Sequence, residues 1–435
     1  MGKRAIKWLY QELPELVSKG ILAQDAADKL RQYYGKVKDV GKKWTVIIIC
    51  GVLGALLIGL GIILILAHNW EQLSRFIRAI ISFLPLLLGQ GLALWVLWRR
   101  PQSHAFKEGT ATFLSLMVGA SIALISQTYN INGDTGTFIL TWMFLIVPLV
   151  YLMQATLPAV IYFIGITSWA GAYWNDPLMA VLFWPLTAAV VPHFIWALRR
   201  ETYTIRVTIM ALVMAICTSI AAGFSLGKAW SGSWMIIYSS IFAIFFALGQ
   251  RRFKGFSTNW QRPLRILGML GILVLAFQFT FSYVWKYIGA DYYQLSQKIS
   301  GLAALPDRII TFAIIALALF FLYDNVKHKK TTTALFGALP LLAIMGYSLR
   351  GQDVFLSLLI FNAYLFILSL VRIMEGIRNN SLAAVNSGML IMAILLIIRF
   401  FDSDINFILK GLVFIIIGAG FLVTNVVLVR RGGGR

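Results

Sequence analysis

The residues of this 435-residue chain that could do chemistry collect at the edges of apolar runs. His68, Asn69, Trp70 and Glu71 close the first run, and Gln127, Thr128, Tyr129, Asn130, Asn132, Gly133 and Asp134 close the third. Carboxylates, amides, an imidazole and aromatic rings at one boundary are the groups that would hold a polar head group by hydrogen bonds and stacking. In that reading Glu71, Asp134 and Gln127 supply acceptors, His68, Asn69 and Asn130 orient the ligand, and Trp70 and Tyr129 stack. The same residue types also cap helices and form turns, and Asn132-Gly133-Asp134 has the composition of a tight turn. Asn175-Asp176 falls on the same side.

Other constellations point away from an enzyme. Gly223-Phe224-Ser225-Leu226-Gly227 spells G-x-S-x-G, which would need a histidine beside the serine. The candidate, His193, lies about four helical turns away in depth, on the order of 20 Å at 1.5 Å per residue. No nucleotide-binding, H-E-x-x-H or EF-hand pattern occurs in the sequence. Cys50 and Cys217 sit in apolar runs and the four histidines are scattered, so neither a disulfide, a metal site nor a cofactor is expected. Arg399, Asp402, Asp404 and Lys410 form a charged cluster at one boundary, with Arg399 expected to pair with an acid.

The elements that must position these residues are written in the composition. The chain is 59% hydrophobic with mean hydropathy +0.80 and only 13% charged, so lipid is its solvent. Windows of about 20 apolar residues place spans at 44–68, 77–98, 110–127, 137–153, 157–173, 177–198, 207–224, 234–248, 266–283, 309–323, 333–347, 354–371, 382–398 and 405–429. The expected fold is an all-α membrane protein of about 14 transmembrane helices. Its parts are an amphipathic helical segment at 1–43, a polytopic bundle at 44–429 and a basic tail at 430–435.

The net charge of +21 would suit a nucleic-acid binder, but its distribution indicates otherwise. With both termini cytoplasmic, 29 of the 38 Lys and Arg fall on the inner side, the positive-inside pattern of membrane insertion. No nucleic-acid partner is expected. The 43 mostly polar residues before the first span do not fit a cleaved signal.

Small residues recur every fourth position in the third span (Ala111, Ser115, Gly119, Ala123, then Gln127) and in the first (Gly51, Ala55, Gly59). These stripes predict close helix packing. Gln90, Gln278, Asn362 and His193 are the polar exceptions inside spans, where amides serve as interhelical hydrogen bonds. No Asp or Glu lies at mid-span, which speaks against an ion-coupling relay. Tyr283, Trp285, Tyr287, Tyr292 and Tyr293 read as an interfacial aromatic belt.

Gly59 to Leu64 leading into Ala67 to Glu71, the Gly119-Ala120 to Tyr129-Asn130 segment with Gly133-Asp134, and Arg399 to Asp402 with Lys410 to Phe414 resemble one family, the predicted bacterial membrane proteins known as domain of unknown function 2157. The resemblance implies a multi-spanning protein of the bacterial cytoplasmic (inner) membrane and no particular activity. The residues themselves suggest transporter-like or flippase-like binding of a small amphiphile or lipid-linked molecule at an outward-facing polar site. The alternative is a membrane-anchored sensor or assembly scaffold that engages a cytoplasmic protein through residues 1–43.

Overall fold

The computed structural model describes residues 3–34, 70–200, 204–230, 232–252, 262–287, 301–349, 354–402, 411–412, 415 and 418–420. The first expected span, with its small-residue stripe, lies outside these residues, as does most of the last. The described residues are helical and turn, with no strand among them.

The chain divides into two compact units, Met1–Arg78 and Ala79–Arg435. In the first, α1 (Lys3–Ser18) and α2 (Gln24–Tyr34) form a helical pair joined through Gly20, whose φ of +67° suits glycine. Leu13 and Ala27 are buried, whereas Ile21 and Tyr33 are exposed. A short 3-10 turn at Trp70–Gln72 precedes the next helix.

From there the long helices follow the apolar runs. They are α3 (Arg75–Arg99), α4 (His104–Tyr129), α5 (Thr135–Leu152), α6 (Thr156–Ala172), a broken segment α7 (Pro177–Ala180), α8 (Phe183–Thr187) and α9 (Val191–Arg200), and then α10 (Ile205–Ser225) and α11 (Trp234–Arg252). After these come α12 (Pro263–Gln278), α13 (Ser282–Lys286), α14 (Leu305–Lys327), α15 (Thr331–Gly337), α16 (Leu339–Leu349), α17 (Val354–Arg378) and α18 (Leu382–Asp402). Among the described residues ten helical stretches are long and apolar enough to cross a membrane, and α6 and α12 are shorter apolar helices. These twelve coincide with the second to thirteenth expected spans.

Three spans read as continuous are interrupted. In α7 to α9, Pro185 and Pro192 lack the N–H of a helical ladder. Tyrosine hydroxyls occupy carbonyls at the breaks: Tyr162 donates to Leu186 O at 2.9 Å and Tyr151 to Ala189 O at 2.6 Å. A break at Ala338, just before Pro340, separates α15 from α16. The span expected at 266–283 ends at Gln278; the chain turns and α13 folds back, with Trp285 Nε1 donating to Phe279 O at 2.8 Å. Trp285 therefore is not part of an interfacial belt. It is 3% exposed, stacks on Phe361 at 5.4 Å, and lies where a Cβ on Gly346 would be, while Tyr283 and Tyr287 are exposed.

Lipid exposure shapes the rest. The long helices keep large apolar side chains on the surface, from Phe76, Leu87 and Trp98 to Phe355 and Leu390, because the surrounding solvent is apolar. Span hydroxyls satisfy themselves on the preceding turn, as Ser115 does on Ala111 O, Thr167 on Phe163 O and Ser239 on Met235 O. Asn362 does the same with Leu358 O, so this amide bonds within its own helix rather than across to another.

Candidate functional site

The site begins with the way α4 ends. Asn130 takes the left-handed conformation (φ 50°, ψ 43°), one that asparagine tolerates, and Ile131 N returns to Ser126 O at 2.9 Å. Ser126 Oγ donates to Ile131 O, fixing the turn. Asp134 then caps α5: its carboxylate accepts from Thr137 N at 3.1 Å, from the Thr137 hydroxyl, and from the Tyr173 hydroxyl at 2.6 Å. These hydrogen bonds hold the Asp134 carboxyl well below the usual carboxylate range.

Below this turn a cavity of about 990 Å³ opens between α3, α4 and α5. Gln127, Asn130, Asn132, Asp134, Thr135 and Thr137 line the part next to this turn; Phe83, Leu86, Val118, Ile122, Phe138 and Leu145 form its walls, with the Gln90 amide among them. Its volume is at the upper end of the range for small-molecule sites, about 300–1,000 Å³.

The small-residue stripe of α4 does two jobs along its length. Ala111, Ser115 and Gly119 are buried, and the occupant beside Gly119 is the Trp142 indole of α5. A Cβ on Gly119 would lie 2.5 Å from that ring, and Trp142 Nε1 donates to Ser115 O at 2.7 Å. One turn further on, Ala123 and Gln127 line the cavity instead.

The expected site residues therefore divide. Gln127, Asn130 and Asp134 come together around the cavity, whereas Tyr129 is exposed and not among its lining. Trp70 is buried in the first unit; His68, Asn69 and the Glu71 side chain lie outside the described residues. Asp176, like Asp134, acts as a cap, accepting from Leu178 N and Met179 N. At the far end of α18, Arg399 donates to Thr280 Oγ1 at 3.2 Å and lies over the Phe281 ring; the Asp402 side chain, Asp404 and Lys410 lie outside the described residues. Ser225 is fully buried, donating to Ala221 O and accepting from Trp184 Nε1, which leaves it no nucleophilic role. His193 packs against Tyr151 and Trp196.

Sequence reasoning missed a buried polar knot. Asp307, at the start of α14, accepts from the backbone N–H groups of Gly227, Lys228 and Ala229 at 3.1, 3.0 and 2.8 Å and from Thr311. Lys228 is 4% exposed and its ammonium donates to Trp174 O. The available clue was Gly227, since a positive-φ glycine (+81°) beside a lysine makes a backbone turn that can receive an anion.

Long apolar helices with lipid-facing side chains and internally satisfied hydroxyls define a multi-spanning α-helical membrane protein. Residues 14–159 match the family described as Predicted membrane protein (DUF2157), a match that includes every residue lining the cavity. Comparisons with curated proteins and with solved structures returned no match.

Proposed function

We propose that the cavity between α3, α4 and α5 binds a small amphiphile or lipid-linked molecule on the outer face of a bacterial cytoplasmic membrane. The observation that carries this reading is the gradient along its wall: amides and threonines at the turn end give way to Phe138 and Leu145 along α5, and to Ile122 and Val118 along α4. A head group would meet Gln127, Asn130 and Asn132, and a tail would lie against the apolar walls. Asp134 contributes by holding the turn, because its oxygens already accept from Thr137 and Tyr173. Transporter-like or flippase-like movement of the bound molecule is the activity that such a site would serve.

The test is binding of a nitrobenzoxadiazole-labelled phospholipid to the purified protein in detergent. Val118→Trp fills the wall and is expected to abolish binding, while Gln127→Ala weakens it about tenfold or less, the scale of one hydrogen bond. Unchanged binding in both variants overturns the reading. So does a cross-link between cysteines at Ala55 and Ile122 that forms equally with and without amphiphile, since the first span would then occupy the cavity. Movement is read separately, as protein-dependent dithionite protection of the label in vesicles.

A second reading rests on the exposure of Ile21 and Tyr33 on the N-terminal helical pair, which suits capture of a cytoplasmic protein. Deleting residues 1–34 separates the two: loss of the cellular role with phospholipid binding intact favours the scaffold.

A further inference from the structure

Resting on the binding site described above, we propose that the head group taken by the cavity of α3, α4 and α5 is an uncharged polyhydroxyl group, a glycoside, rather than a phosphate or an ammonium.

Charge disfavours an anion. Between Lys107 and Arg199 the sequence contains no Lys or Arg, so α4 beyond its first turn, the turn that follows it and all of α5 offer no cationic side chain. From α3 come Phe83, Leu86 and Gln90, also uncharged. The N-terminus of α5 could otherwise receive a phosphate, but the Asp134 carboxylate already occupies it, on Thr137 N at 3.1 Å. Asp134 is the one charged side chain among the described lining residues, and its charge repels a second anion.

An ammonium fits no better. Three hydrogen bonds already fall on the Asp134 oxygens, from Thr137 N and from the Thr137 and Tyr173 hydroxyls, which leaves about one of four lone-pair positions. A quaternary ammonium is enclosed by aromatic faces. Phe83 and Phe138 are the two aromatic residues among the described lining, and they belong to the apolar walls.

What the turn end does offer is neutral and able to bond in both directions. The hydroxyls of Ser126 and Thr141 are engaged by Ile131 O and Thr137 O. The amides of Gln127, Asn130 and Asn132 and the hydroxyl of Thr135 line the cavity, are exposed, and among the described residues make no hydrogen bond within the chain. Each amide has an oxygen that accepts and an NH2 that donates, and each sugar hydroxyl does both, so neighbouring hydroxyls can pair with one amide in both directions. The backbone that carries them is set beforehand by Asn130 at φ 50° and by Ile131 N on Ser126 O, which lowers the cost of ordering on binding.

A glycolipid and a free sugar share this chemistry, so the experiment keeps the tail constant and varies the head. The full chain is purified in a sugar-free amine-oxide detergent and loaded with the labelled phospholipid. Octyl glucoside, octyl phosphate, octyltrimethylammonium and glucose then compete for it below micellar concentrations, and radiolabelled octyl glucoside is bound directly by equilibrium dialysis. Octyl glucoside is expected to displace the label at a concentration about fivefold or more below that of the other two amphiphiles, the scale of one or two hydrogen bonds. Displacement by glucose at the same concentration assigns a free sugar; displacement by octyl glucoside without glucose assigns a glycolipid. Asn132→Ala, and Asn130→Gly, which keeps the left-handed turn, are each expected to narrow the preference to about twofold. Tyr129→Ala, at an exposed position off the lining, leaves it unchanged. If octyl phosphate or octyltrimethylammonium displaces the label as well as octyl glucoside does, the head-group assignment falls while the site stands. If neither the label nor the glucoside binds, both fall; glucoside binding without label binding supports the assignment. A preference unchanged in both asparagine variants also overturns it.

Discussion

At the residue scale, Gly119 shows how one missing Cβ sets two helices. The indole of Trp142 fills the place a side chain would take, and its Nε1 is fixed by Ser115 O at 2.7 Å, so the ring cannot swing away without losing that bond. Gly119→Ala is therefore expected to destabilise the protein by about 1–3 kcal/mol, the scale of overpacking. Melting in detergent checks this, and Trp142→Leu in the same chain should recover part of the loss. Asp134 carries the other argument at this scale. Its carboxyl is depressed in the folded protein, so the stabilisation is present above the ordinary carboxylate value of about 4 and is lost as pH falls through the lower folded value. Asp134→Asn should melt below the native protein at pH 7, with a gap that narrows below pH 4. A constant gap down to pH 2 would mean that Thr137 and Tyr173 do not depend on the carboxylate.

At the element scale, the same rule joins helices across the bundle: acids sit on backbone N–H groups. Glu108 of α4 accepts from Thr156 N at 2.8 Å and Leu157 N at 3.0 Å, capping α6, as Asp307 of α14 holds the turn after α10. Removing one partner from a buried charged set is strongly unfavourable, so Asp307→Asn is expected to cost about 3–5 kcal/mol, read as a lowered melting temperature. Lys228 behaves with the opposite sign. Burial lowers its ammonium against the pull of Asp307 and Asp176, so the unfolded chain binds the proton more tightly. Stability therefore rises as pH climbs from the folded value towards about 10.4, a slope that Lys228→Met should remove. The helices carrying these groups were legible as apolar runs, because a lipid-exposed helix needs little beyond length and hydropathy. Their interruptions were not. Pro185, Pro192 and Pro340 are visible in the sequence, but whether a proline kinks or breaks a span depends on partners such as Tyr151 and Tyr162, which come from other helices. The candidate site was half legible for the same reason. Gln127, Asn130 and Asp134 are close in sequence, whereas the α3 and α5 walls of the cavity, Phe83, Leu86, Phe138 and Leu145, are set only by packing.

For the whole molecule, the polar contacts sort into two ends. Asp134 with Tyr173, Lys228 with Trp174, Asp307 with the 227–229 turn, and Arg399 with Thr280 join residues from boundaries expected on one side. Glu108 with Thr156 and Arg206, Arg251 with Asp324, and Glu375 with Thr332 and Arg372 join residues from the other. None of these contacts crosses between the two sets, which is the arrangement that helices alternating in direction produce. The side is an expectation from charge: the second set belongs to loops rich in Lys and Arg, which the positive-inside pattern assigns to the cytoplasm. Single cysteines provide the check, in a background where Cys50 and Cys217 are changed to serine. At Asn132 and Gly232 they are expected to react with a membrane-impermeant maleimide in intact, outer-membrane-permeabilised cells. At Gln102 and Lys329 they should react only after the inner membrane is opened. A reversed pattern would turn the cavity of α3, α4 and α5 towards the cytoplasm. Labelling of Asn132 and Lys329 from the same side would break the alternation itself, because an odd number of crossings must separate those two loops if their charge bias has a common cause.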